Sequence, residues 1–282
     1  MTVNVVARPG HTGEYRLTAV LLAFVRRDWA ITRSYRVPLA MSLVTAVTSV
    51  GFVYFLGRLV GGKVHMAGSG ISGGYFAFAI VGTTLFSIFS VSLTSFAQRI
   101  RSDMTTGTLE VLFTMPVRPA LTAIGSASYQ LVFSFAMNAF TVVLAVVLGM
   151  RFSAGPDGAV LGLAALAVSL AMFCGVGILF AAFVIVFKRG ETVAALGTSA
   201  LMLVGGVYYS IALMPHPLRD LADILPFTWA LEILRGCLLS HVEMWARFGE
   251  LCAAAGVVLA LAAVVFSAAL DRARRTGTLG QY

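Results

Sequence analysis

Long runs without a charged side chain alternate with short charged clusters along this chain. Twenty-one uncharged residues separate Arg36 from Arg58, thirty-two separate Arg118 from Arg151, and thirty separate Asp157 from Lys188. Twenty-seven separate Glu191 from Arg219, twenty separate Glu250 from Asp271, and a further run covers 75–97. A helix needs about 20 residues to cross about 30 Å of hydrocarbon, where each unpaired backbone group costs several kcal/mol, so each run predicts one crossing. The expected fold is therefore all-α, a polytopic membrane protein with six transmembrane helices at 37–57, 75–97, 120–148, 159–187, 192–209 and 251–270.

Three segments between or before the spans carry further structure. Residues 15–35 alternate Leu, Val, Phe and Trp with Arg at helical spacing, which predicts a helix lying in the membrane interface with its arginines at the headgroups. The connection 98–118 is longer than a turn requires. Asp103 or Thr105 can cap a short helix there, Leu109, Leu112 and Phe113 form its apolar face, and Pro116 ends it. Residues 210–240 are too apolar for a free loop and too interrupted by Pro215, Pro217 and Pro226 for a span, so they read as a re-entrant helical hairpin.

Composition excludes the other broad classes. The chain has 282 residues, 59% hydrophobic and 11% charged, with a mean hydropathy of +0.92. Soluble domains carry about 25% charged residues, so neither a soluble nor a disordered protein fits. The net charge of +8 is a matter of topology. With both termini on one side, that side holds fourteen of the twenty Lys and Arg, which places both termini in the cytoplasm by the positive-inside rule. Nucleic acid is thereby set aside as a partner. No cleavable signal precedes the first span, because Arg26, Arg27 and Asp28 interrupt the apolar stretch 17–25. Cys174, Cys237 and Cys252 are spaced for neither a disulfide framework nor a metal site, and no metal ligand set is expected.

Candidate chemistry inside the spans is uncharged. Asn138 is the amide in mid-span, Thr45, Thr48 and Ser49 give the first span a polar side, and Ser87 and Ser90 with Phe86 and Phe89 do so for the second. Helix packing through small residues and a substrate wall are both open readings of these positions. If the helices transport something, an apolar or amphipathic compound suits them better than an ion, and the energy must come from elsewhere. Two apparent nucleotide motifs fail. Gly57-x-x-x-x-Gly62-Lys63 has Val64 where a hydroxyl must reach Mg²⁺, and Ile71-Ser72-Gly73-Gly74 falls in the same outer loop. An intramembrane enzyme would need paired His, Asp, Glu or Ser at depth, and His11, His65, His216 and His241 all lie outside the spans. A membrane scaffold without transport needs no site at all and stays open.

Two stretches in particular positions carry a family resemblance. Thr106-Gly107-Thr108-Leu109-Glu110-Val111-Leu112, ending at Pro116, and the late Leu225-Pro226-Phe227-Thr228-x-Ala230-Leu231-Glu232-x-x-Arg235-Gly236 resemble an ABC-2 type transporter permease. The likeness extends to the daunorubicin-resistance drug exporters and the exporters of lipid-linked polysaccharides. It implies a G-type exporter fold in which 1–282 form a single transmembrane domain that is not itself an enzyme. It further implies a second permease copy, as homo- or heterodimer, and two separate ABC ATPase subunits, in the cell inner membrane. No cofactor is expected on this chain, with ATP and Mg held by the ATPase. By the same resemblance Thr106, Gly107, Thr108, Leu109, Glu110 and Leu112 form the coupling helix, with Arg99, Arg101 and Asp103 adding polar contacts to the ATPase. Pro226, Glu232 and Arg235 lie near the outer gate. Cargo is then a drug-like or lipid-like amphipath, or alternatively a lipid-linked polysaccharide.

Overall fold

The computed structural model describes residues 36–60, 74–105, 119–187, 191–240 and 244–276. Among them every regular element is helical. In chain order these are α1 (Arg36–Val60), α2 (Gly74–Thr105), α3 (Pro119–Val147), α4 (Pro156–Phe187) and α5 (Glu191–Val204). A 3₁₀ turn at Ile211–Leu213, α6 (His216–Ile224), α7 (Pro226–Arg235), a π turn at Gly236–Ser240 and α8 (Trp245–Thr276) follow. Prolines set several of these starts: Pro119, Pro156 and Pro226 open α3, α4 and α7, where the missing N–H costs nothing and the fixed φ suits the first turn.

Five helices, α1, α2, α3, α4 and α8, are long and apolar enough to cross a bilayer, as befits a multi-pass membrane protein. The expected fifth span, 192–209, is instead the 14-residue α5, which ends at Val204. At 1.5 Å per residue it reaches only about 21 Å. It stops because the chain turns at Gly205 and Gly206. Gly206 has φ +70°, a left-handed conformation that favours glycine, and a Cβ on Gly205 would stand 2.9 Å from the Phe227 ring.

Three boundaries also differ from expectation. α2 continues through Gln98–Thr105, the first part of the expected cytoplasmic loop, since no Gly or Pro interrupts it before Gly107. Asp103 accordingly lies within α2 and does not cap a separate helix. α4 starts at Pro156, ahead of 159. α8 starts at Trp245, ahead of 251, and its first turns carry an exposed Arg247–Glu250 ion pair at 3.2 Å. The interfacial helix expected at 15–35 and the remainder of the loop, 106–118, lie outside the described residues.

α2 and α4 form the centre. Of their spanning stretches 56% and 50% is buried, against 17%, 11% and 17% for α1, α3 and α8. α4 packs on α2 and α8, and α2 also meets α3, α1, α5 and α7. A helix apolar on every side belongs in such a position, and α4 is one. Small residues permit the approach. A Cβ on Gly175 of α4 would stand 3.0 Å from Val258 and 3.2 Å from Leu259 of α8, and one on Gly57 of α1 3.2 Å from Phe76 of α2. Gly57 is thus a helix-packing residue inside α1, as its failure to fit a phosphate loop requires.

Candidate functional site

The most unusual side chain in the core is Arg235, the last residue of α7, which is only 7% exposed. Its Nε and Nη2 donate to the Phe78 carbonyl at 3.3 and 3.1 Å, its Nη1 to the Gly206 carbonyl at 2.9 Å, and its Nη2 to the Val207 carbonyl at 2.8 Å. The guanidinium carbon lies 3.4 Å from the centre of the Phe78 ring. All these partners are main chain or ring. The arginine ties α7 to α2 and to the carbonyl-rich end of α5, where a cation complements the helix dipole.

Gly82 makes this possible. A Cβ there would collide with the Val207 carbonyl and stand 2.5 Å from Arg235 Nη2. The π turn that follows Arg235 is held from a third direction. Ser153 N–H donates to the Leu238 carbonyl at 2.9 Å, and Gly158 and Gly162 of α4 bring that helix onto Cys237. About two helical turns before Arg235 the linkage is aromatic. Phe227 of α7 meets Phe86 and Phe89 of α2 at 6.4 and 5.7 Å and Phe173 of α4 at 5.9 Å, with Phe89 and Phe173 at 5.1 Å. Most of these pairs are edge-to-face, the arrangement the ring quadrupoles favour.

A separate cleft of about 480 Å³ opens between α1, α2 and α3. Thr45 and Ser49 of α1, Ser87 of α2 and Asn138 of α3 line it, as do Thr83, Thr84, Gln130, Ser134 and Thr141. Asn138 is buried, and its Nδ2 donates to the Ser134 carbonyl at 2.9 Å, to Ser134 Oγ at 3.2 Å and to Ser87 Oγ at 3.4 Å. The other positions grouped with these in the sequence lie elsewhere. Phe86 and Phe89 belong to the aromatic cluster, Thr48 is exposed and does not line the cleft, and Ser90 accepts from Thr94 Oγ1 at 2.9 Å through its carbonyl.

Sequence reading missed Gly82, quoted Phe227 only within the family stretch, and of the α3 wall named Asn138 alone. A signal for that wall existed: Gln130, Ser134, Asn138 and Thr141 recur at helical spacing on one face.

The remaining candidates divide. Arg99, Arg101 and Asp103 lie on the last turns of α2, and Thr106, Gly107, Thr108, Leu109, Glu110 and Leu112 fall outside the described residues. Pro226 opens α7, and Glu232 is half-buried on the same helix. Burial pushes the Glu232 carboxyl above its ordinary range, Asp223 adds to the rise, and Arg247 and Arg235 oppose it. Trp229 Nε1 donates to the Asp223 carbonyl at 2.6 Å, joining α6 to α7, while His216 stands exposed at the start of α6. Among the described residues no group of three or more His, Cys, Asp or Glu could hold a metal ion.

In comparison with known proteins, residues 19–239 match the family described as ABC-2 type transporter. No curated protein matches the chain.

Proposed function

Since the chain belongs to the ABC-2 type transporter family and is a membrane permease component of such a transporter, we propose that it exports an amphipathic drug-like or lipid-like compound. Family membership implies an ABC ATPase partner. In this proposal two ATPase subunits attach to the cytoplasmic face, two permease copies face each other, and both termini are cytoplasmic in the inner membrane. ATP binding closes the ATPases, the Thr106–Leu112 segment passes on the movement, and the permease interface exchanges an inward-open for an outward-open state.

The observation that carries this reading is the continuity of α2. It is one uninterrupted helix of 32 residues, about 48 Å long, from the neighbourhood of Phe78 to Thr105 beside the proposed coupling segment. One end is held by Arg235 of α7, and the other carries Arg99, Arg101 and Asp103. Such a rod transmits a push at its cytoplasmic end to α7 without needing a flexible joint.

The test is ATP turnover by the permease with its ATPase in lipid, with and without hydrophobic drugs and a lipid-linked glycan. Stimulation by the drugs is the expected result, and stimulation by the glycan alone would move the assignment to polysaccharide export. Glu110→Arg or Gly107→Trp should abolish the stimulated turnover while leaving membrane insertion intact. Failure to bind any ATPase would remove the reading.

A further inference from the structure

The α1–α2–α3 cleft has a chemical bias that its size and burial do not reveal. Among the described residues its lining contains no Lys, Arg, His, Asp or Glu. The hydroxyl hydrogens of Thr45, Thr83 and Thr141 are donated back along their own helices, to the Met41, Ala79 and Met137 carbonyls at 2.9, 2.9 and 3.0 Å. Asn138 commits its Nδ2 to Ser134 and Ser87, which leaves Oδ1 as an acceptor. Thr84 Oγ1 is buried in the same wall without a hydrogen-bond partner. The three threonines and Asn138 Oδ1 therefore offer the cavity oxygen lone pairs, while the Thr84 hydroxyl and the Gln130 amide in the same lining can donate as well as accept.

An ion of either sign would enter this part of the spans with no opposite charge to meet it, at a heavy desolvation cost. A volume of about 480 Å³ suits a small-molecule ligand. We propose that the cleft binds the polar end of an uncharged amphipath that donates hydrogen bonds as well as accepting them, an alcohol or secondary amide on an apolar body, and rejects phosphate-bearing and cationic amphipaths. The identity of that ligand as cargo rests on the transport reading; the binding chemistry does not. A hydroxylated membrane lipid resident in the cleft and a transported compound share this chemistry.

The experiment is photolabelling of the purified permease with its ATPase in phosphatidylcholine nanodiscs, with labelled peptides identified by mass spectrometry. The probes are a photoreactive monoacylglycerol, its dimethyl ether, the corresponding lysophosphatidic acid and an alkyltrimethylammonium of the same chain length. The monoacylglycerol should label α1 and α3 peptides saturably, and the other three about tenfold less, the equivalent of one or two hydrogen bonds. Asn138→Leu should lower the labelling. Thr84→Val should do the same, and because that hydroxyl forms no internal hydrogen bond, the isosteric change leaves the fold intact. Equal labelling by diol and ether, preference for the phosphate or the cation, or indifference to both substitutions would overturn the proposal. Adding ATP separates the sources. Labelling that falls during turnover identifies cargo and supports the site, and labelling that persists supports it as a lipid site. Intact labelling with no ATP stimulation by any compound would count against the transport reading alone.

Discussion

Arg235 donates to the carbonyl of Phe78, 157 positions earlier in the chain, through both Nη2 and Nε, and lies over the ring of the same residue at 3.4 Å. The Phe78 carbonyl belongs to a helix, so the arginine adds its hydrogen bonds to one the helix can already use. Its charge is spread over three carbonyls and a ring, and no carboxylate shares in these hydrogen bonds. Removing one side of such a buried arrangement costs more than the arrangement contributes, because desolvated acceptors remain.

Arg235→Met should therefore destabilise the folded permease by about 3 kcal/mol, read as a lower midpoint of thermal unfolding in detergent. Arg235→Lys keeps the charge but loses the planar fork that reaches Phe78 and Val207 together, so it should fall between Met and the unaltered protein. Equal stability for all three would show that these hydrogen bonds contribute nothing.

Gly82→Ala tests the same junction from the α2 side. The added methyl would collide with Val207 and crowd Arg235, with an expected loss of about 1–3 kcal/mol. Gly51 has nothing within 4 Å of an added Cβ and sits inside α1, so Gly51→Ala should be neutral or stabilising by up to about 1 kcal/mol. Thermal unfolding of the pair, side by side, separates a packing effect from helix propensity.

Phe227→Ala should remove the ring that joins Phe86, Phe89 and Phe173, at a cost of about 3–5 kcal/mol. Phe227→Leu should restore part of it. Proteolysis of the α6–α7 region reports the result: faster cleavage in the alanine variant is expected, and an unchanged rate would show that α7 is held without the cluster.

Glu232 yields a pH dependence. Its carboxyl is raised in the folded protein, so the folded state binds its proton more tightly than the unfolded chain does. Ionised Glu232 therefore penalises folding in full above the raised value, and the penalty vanishes below about pH 4, where both states are protonated. Glu232→Gln should stabilise the protein at neutral pH and make no difference in acid. Unfolding curves at both conditions check the sign, and a variant less stable at neutral pH would reverse the assignment.

The spacing of charges determined that the chain is a multi-pass helical membrane protein and roughly where its long helices lie. Hydrocarbon imposes that result through a one-dimensional constraint: about 20 residues in which all backbone groups are satisfied within the segment. The structure starts α3, α4 and α7 at Pro119, Pro156 and Pro226, where a missing N–H acts locally. Tertiary structure alone decided the rest. α5 stops at Val204 because Gly205 and Gly206 face Phe227 and Ile211, residues whose proximity no local pattern encodes. Phe86 and Phe89 look like neighbours of Ser87 and Ser90 along the chain. Helical rotation turns the two rings toward Phe173 and Phe227 and leaves Ser87 toward Asn138. Arg235 reads as a surface cation near a gate, and only the convergence of α2, α5 and α7 supplies the carbonyls that bury it. Local pattern sets which segments are helices and how long they run; long-range packing sets which of their faces meet.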